Sequence, residues 1–238
     1  MDNKEYLELI LRKEELEKEA INIYNNYIRI YGDLLIKRYE LNIDVIRIRK
    51  MISFCAKKNN YGESIKKDEL DRYITDVMKS YDNELEKLKI EKEQVDNLEK
   101  IDYATCKMCK DLYYKIAKKC HPDMMNNIDN KKEEIFIKAK DAYRKYDIDT
   151  LKLLYDEVKL LNDLDNDIDD LEYKIDKITK EINDIIENNP YVLKYEYTPE
   201  SIIEIKKKEL NQEIDSIKKR INELNKKLKE FNIEGDYN

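Results

Sequence analysis

The chain has 238 residues, 42% of them charged, with only 3 Gly, 3 Pro and no Trp. Sheet-rich folds need many turns, and turns draw on Gly and Pro, so this composition argues against sandwiches and barrels and for long helices. A hydrophobic share of 41% excludes a disordered polyelectrolyte, and a net charge of -7 gives no support for a general nucleic-acid binder, which needs a basic face.

The first stretch, MDNKEYLELILRKEELEKEA, places acids where a signal peptide needs an apolar core. No run in the chain approaches the roughly 20 apolar residues that span a bilayer. A cytoplasmic chain without membrane contact is expected, with its four Cys as thiols. A first helix is predicted from Lys4 to Ile30, ending at Gly32-Asp33. A second runs from Leu34 to Lys57 with Leu41, Val45, Ile48, Ile52 and Cys55 on one seam. Asn59 to Ser64 reads as a loop. A third helix follows from Lys67 to Leu98, with Leu70, Ile74, Val77, Tyr81 and Leu88 inward. Together these make an expected N-terminal coiled-coil arm, residues 1–100.

Residues 101–158 differ from their flanks. The only His of the chain is followed at once by Pro and Asp: His121-Pro122-Asp123. Ahead of it, Leu112, Tyr113, Ile116 and Ala117 form an apolar stripe, while Lys110, Lys115, Lys118 and Lys119 make the helix basic in an acidic chain. Pro122 ends that helix, because the residue before a proline is pushed out of the α region. Asn126 to Asn130 reads as a polar loop. A helix with Phe136, Ala139, Ala142 and Tyr143 on one face comes next. The unit is a helical pair with the tripeptide exposed at its tip.

From residue 159 the apolar positions step by three and four. Leu161, Leu164, Ile168, Leu171, Ile175, Ile178, Ile182 and Ile185 make one seam. Leu210, Ile214, Ile217, Ile221, Leu224, Leu228 and Phe231 make another. Asn188-Asn189-Pro190 stops the first, and Thr198-Pro199 starts the second, with Thr198 as N-cap. Tyr191 to Tyr197 is read as an extended link. The two seams are expected to close on each other as a C-terminal antiparallel hairpin, residues 159–238. The fold class is therefore all-α, elongated helical hairpins flanking a helix–loop–helix unit.

The central unit resembles a J-domain, the module by which co-chaperones stimulate the heat-shock ATPase known in bacteria as DnaK. Tyr113-Tyr-Lys-Ile-Ala-Lys-Lys-Cys-His-Pro-Asp123 resembles the family's basic second helix and loop. Phe136-Ile-Lys-Ala-Lys-Asp-Ala-Tyr143 resembles its third, and Leu151 to Asp156 the start of its short fourth. Tyr114 and Met124 stand where the family is often basic. Asp102-Tyr103 resembles the family's start, but lies too close to His121 to leave room for its first helix. The resemblance implies a non-enzymatic co-chaperone or adaptor without cofactor. Its partner would be a DnaK-type ATPase, docked through His121, Pro122, Asp123, Lys110, Lys115, Lys118 and Lys119. Its arms would hold a client protein or a second copy. The alternative is a coiled-coil scaffold whose hairpin engages no chaperone. A less favoured one is a zinc-stapled module on Cys106, Cys109, Cys120 and His121; Cys120 and His121 are adjacent and diverge on a helix, and a buried Cys also packs as a small hydrophobe.

Overall fold

The computed structural model describes residues 3–98, 101–125, 129–159, 161 and 170–234. The fold is all-α, with seven α-helices among the described residues. The helices are α1 (Asn3–Asn60), α2 (Lys67–Asp96), α3 (Tyr103–Cys120), α4 (Asn130–Lys145), α5 (Ile148–Val158), α6 (Leu171–Glu187) and α7 (Ser201–Leu228). None of the helices is long and apolar enough to cross a membrane.

The expected break at Gly32 does not occur: α1 continues through it. A lone Gly costs a helix only about 1 kcal/mol against Ala, which tertiary packing overrides. Gly32 instead makes room, since a Cβ there would meet the Lys92 side chain at 2.5 Å. The predicted loop near residue 61 is present, with Gly62 at φ 67.

By contact the chain divides into two compact units, each assembled from two stretches: Met1–Tyr24 with Glu99–Leu193, and Asn25–Leu98 with Lys194–Asn238. The expected arms at 1–100 and 159–238 each contribute to both units. The α6 seam lies in the first unit, where Ile175, Ile178 and Ile182 are buried and Glu181 pairs with Lys13 of α1 at 2.5 Å. The α7 seam lies in the second, with Leu210 and Ile214 buried and Glu213 on Arg38 of α1 at 2.7 Å. Each of the two helices therefore has α1 as a partner within its own unit, where the sequence reading had paired them with each other. A three-four seam requires a partner helix but does not name it. Leu164 and Ile168 lie outside the described residues.

In the second unit, Leu41, Val45, Ile48, Leu70, Met78 and Leu210 are buried. Two strands of two residues each, β1 (Ile65–Lys66) and β2 (Ile233–Glu234), pair in parallel, which the sequence reading did not foresee. Tyr191 to Glu196 is a 3-10 helix rather than an extended link. Without a partner strand its backbone groups close locally, Val192 N–H on the Asn188 carbonyl and Leu193 N–H on that of Pro190. The last helix begins at Ser201, two residues later than the expected Pro199 start.

In the first unit, α3, α4 and α5 form a core. Cys109, Tyr113, Ile116, Ala117 and Cys120 of α3 are buried, as are Phe136, Ala139, Ala142 and Tyr143 of α4 and Leu151, Leu154 and Val158 of α5. The rings of Tyr113 and Tyr143 stack at 4.5 Å. Asp102 caps α3, accepting from Thr105 N at 2.9 Å, so it begins α3 itself and no separate helix lies between. Asp129 caps α4, and Asp147 caps α5. The start of α1, Asn3 to Tyr24, belongs to this unit as well.

Candidate functional site

Helix α3 ends at Cys120 and His121 turns extended (φ -67, ψ 125), as the residue before a proline must. Pro122 to Met124 forms one 3-10 turn, with Met124 N–H on the His121 carbonyl at 3.0 Å. The imidazole locks the turn: Nδ1 accepts from Asp123 N–H at 3.1 Å. With Nδ1 accepting, the ring proton of the neutral imidazole sits on Nε2. The ring meets Phe136 edge-on at 4.5 Å between centroids.

The expected exposed tip is only partly found. Asp123 is exposed and Pro122 half-buried, but His121 is 5% exposed. Its Nε2 faces Glu14 of α1, 3.8 Å from Oε1. Glu14 also accepts from Tyr113 Oη at 2.5 Å and from Lys140 Nζ at 2.7 Å. Burial alone would raise the Glu14 carboxyl. The imidazole of His121, the ammonium of Lys140 and the phenol of Tyr113 outweigh it and hold it down at about 2. Burial and the Glu14 charge push the Tyr113 phenol far up. Glu14 is thus a buried carboxylate that accepts from Tyr113 of α3 and Lys140 of α4 and faces the His121 imidazole.

The four predicted basic residues separate. Lys115 and Lys118 are exposed. Lys115 lies 5.4 Å above the Tyr155 ring. Lys110 pairs with Glu15 of α1, and Lys119 Nζ donates to the Leu161 carbonyl at 2.8 Å. The exposed basic face of α3 is correspondingly narrower than the sequence suggests. Tyr114 is turned to α1, with its hydroxyl 3.3 Å from Glu15.

A cleft of about 550 Å³ opens over the tripeptide, lined by Tyr6, Ile10, Lys13, Glu14 and Glu17 of α1, by Lys140 and Phe136, and by Tyr173, Lys174, Lys177, Ile178 and Glu181 of α6. Its lining holds five acids, Asp123 and Asp170 among them, against four lysines, so the charges nearly cancel. Further along α1, Lys18 Nζ donates to the Tyr143 carbonyl at 2.5 Å and sits 3.5 Å from the ring centroids of both Tyr143 and Tyr146. Burial pushes this ammonium down to about 8, while the two rings attract its cationic form. In the second unit a groove of about 660 Å³, lined by Ile28, Leu35, Tyr39, Leu88 and Ile217 among others, is chiefly apolar.

No three His, Cys, Asp or Glu side chains among the described residues are grouped as a metal site requires. Cys109 and Cys120 are buried and Cys106 half-buried, and burial raises the Cys120 thiol to about 11. These are packed thiols, and the zinc alternative on Cys106, Cys109, Cys120 and His121 finds no grouping.

Sequence reasoning missed Glu14 and Lys18. Both continue the apolar stripe of Leu7, Ile10 and Leu11 at steps of three and four. Two charges on a buried stripe were the available signal. No family model, curated protein or solved structure matches this chain.

Proposed function

We propose that the chain is a J-domain-like co-chaperone or adaptor that engages a DnaK-type heat-shock ATPase through the His121-Pro122-Asp123 turn and the basic face of α3, while other surfaces hold a client protein or a second copy. The observation that carries this reading is the placement of the exposed Asp123 on a rigid turn at the end of α3, the helix whose Lys115 and Lys118 are also exposed. A carboxylate held by a proline turn can accept a charge-assisted hydrogen bond from a partner Arg or Lys with little ordering cost. Lys115 and Lys118 would speed encounter with an acidic partner by salt-screened attraction.

The test is ATP turnover by such a chaperone with and without this protein. Asp123→Asn should abolish stimulation and leave the melting temperature unchanged, since the side chain is exposed. His121→Gln, in contrast, should also lower stability, because the imidazole is buried and accepts the Asp123 N–H. Equal stimulation by wild type and Asp123→Asn defeats the reading. A second reading, a scaffold whose hairpin engages no chaperone, is favoured by the internal engagement of Lys110, Lys119 and His121. Under that reading Lys115→Glu with Lys118→Glu changes no binding rate.

A further inference from the structure

We infer that Glu14 is a positioning residue for Asp123: it holds the His121 ring in the one orientation and tautomer in which Nδ1 can anchor the turn. What Asp123 then does for a partner rests on the co-chaperone reading; the hold of Glu14 on the turn does not.

The turn hands one backbone donor to a side chain. Pro122 has no N–H. Met124 N–H goes to the His121 carbonyl and Met125 N–H to that of Pro122, both at 3.0 Å. Asp123 N–H goes instead to His121 Nδ1 at 3.1 Å. The imidazole therefore links the exposed Asp123 to the interior. An imidazole can break such a link in two ways. A half-turn about its Cβ–Cγ bond takes Nδ1 away, and a proton on Nδ1 sets donor against donor.

Two neighbours act on the ring, and only one of them can tell its nitrogens apart. Phe136 meets it edge-on at 4.5 Å, which limits where the ring lies but does not distinguish nitrogen from carbon. The Glu14 Oε1 stands 3.8 Å from Nε2 and attracts a proton at that end of the ring. Which imidazole nitrogen carries the proton is set by the partner of each, and a proton on Nε2 leaves Nδ1 bare to accept. The carboxylate is itself fixed, Oε2 by the Tyr113 hydroxyl at 2.5 Å and Oε1 by the Lys140 ammonium at 2.7 Å. Side chains from α1, α3 and α4, all within the first unit, thus converge on the orientation of one turn.

His121 is the only histidine of the chain, so the NMR shifts of its ring nitrogens and the exchange rate of Asp123 N–H read the link directly in the full-length protein. Glu14→Met removes the acceptor at similar volume, whereas Glu14→Gln removes the charge and keeps an acceptor oxygen. Wild type and Glu14→Gln should both carry the ring proton on Nε2 and share one Asp123 exchange rate. Glu14→Met should populate both tautomers and exchange Asp123 N–H about tenfold faster, the scale of one lost hydrogen bond. That rate should stay above the rate of Ile116 N–H in the α3 core, which reports opening of the whole fold. His121→Asn puts an acceptor oxygen in the place of Nδ1 and has no tautomer to choose. In that background Glu14→Met should leave the Asp123 rate unchanged, as a double-mutant cycle requires of a relay. A wild-type ring proton on Nδ1, an unchanged Asp123 rate in Glu14→Met, or equal effects of Glu14→Met and Glu14→Gln overturns the inference. So does one common rate for Asp123 and Ile116 in Glu14→Met, or an effect that persists in the His121→Asn background. Stimulation of a DnaK-type ATPase should fall about tenfold in Glu14→Met and hold in Glu14→Gln. Stimulation that Asp123→Asn abolishes and Glu14→Met leaves intact overturns Glu14 as a positioning residue. The expected ring and exchange behaviour with no stimulation by any variant, wild type included, supports the hold of Glu14 on the turn and overturns the co-chaperone reading.

Discussion

The carboxylate of Glu14 takes the Tyr113 hydroxyl and the Lys140 ammonium and faces the imidazole of His121. Held at about 2, it stays ionised where an ordinary glutamate near 4.5 would be protonated. The folded state therefore binds fewer protons than the unfolded chain between these values, and the stabilisation is complete above pH 4.5 and lost as pH falls toward 2. Its size is roughly 3 kcal/mol. Urea melts of Glu14→Gln should lack this acid-side loss and show lower stability at neutral pH; parallel curves for the two proteins would mean that the network contributes nothing. Lys18 works in the opposite direction. Its folded-state value near 8 lies below the ordinary 10.5, so the unfolded chain binds the extra proton and stability rises with pH across that window. Lys18→Met should remove the rise, seen as a difference between the two proteins in denaturant midpoints from pH 7.5 to 10.5.

At the scale of elements, α1 passes Gly32 because the residue's missing Cβ accommodates Lys92, which pairs with Asp33 at 3.5 Å and also with Asp96. Two effects compete in Gly32→Ala: a helix gain of about 1 kcal/mol and displacement of Lys92. Displacement should cancel the gain in wild type, and the full gain should emerge in a Lys92→Ala background, a non-additivity that a double-mutant cycle measures. Additive effects would show that Lys92 does not depend on the glycine. The α3–α4 pair was legible beforehand because its stripe of Tyr113, Ile116 and Ala117 meets a matching one of Phe136, Ala139, Ala142 and Tyr143, close in sequence. The pairing of α6 was not, because its stripe fits any apolar partner helix and the partner lies more than a hundred residues away in α1.

On the scale of the whole molecule, both units join stretches remote in sequence. Leu210 is 1% exposed in the second unit, while His121 belongs to the first. Leu210→Asp places an unpaired carboxylate in a core and should cost on the order of 3 kcal/mol. Amide exchange should then quicken along α2 and α7, while the single imidazole resonance keeps its native position below the melting range. Movement of that resonance with the first loss of α7 protection would mean that the two units unfold as one.

Composition alone determined that this chain is helical, because so few Gly and Pro leave no way to make many turns. Spacing determined which faces are apolar, and Pro122 determined where α3 ends, because proline sterics act on the residue before it regardless of context. The tertiary structure decided what those faces meet. Burial of His121 beside Glu14, engagement of Lys110 by Glu15, and the ion pairs of α6 and α7 with Lys13 and Arg38 all depend on α1, whose contacts span sequence distances that no local rule reaches. The hydrophobic effect is non-directional: it demands that each seam be covered and leaves the choice of cover to the packing of the whole chain.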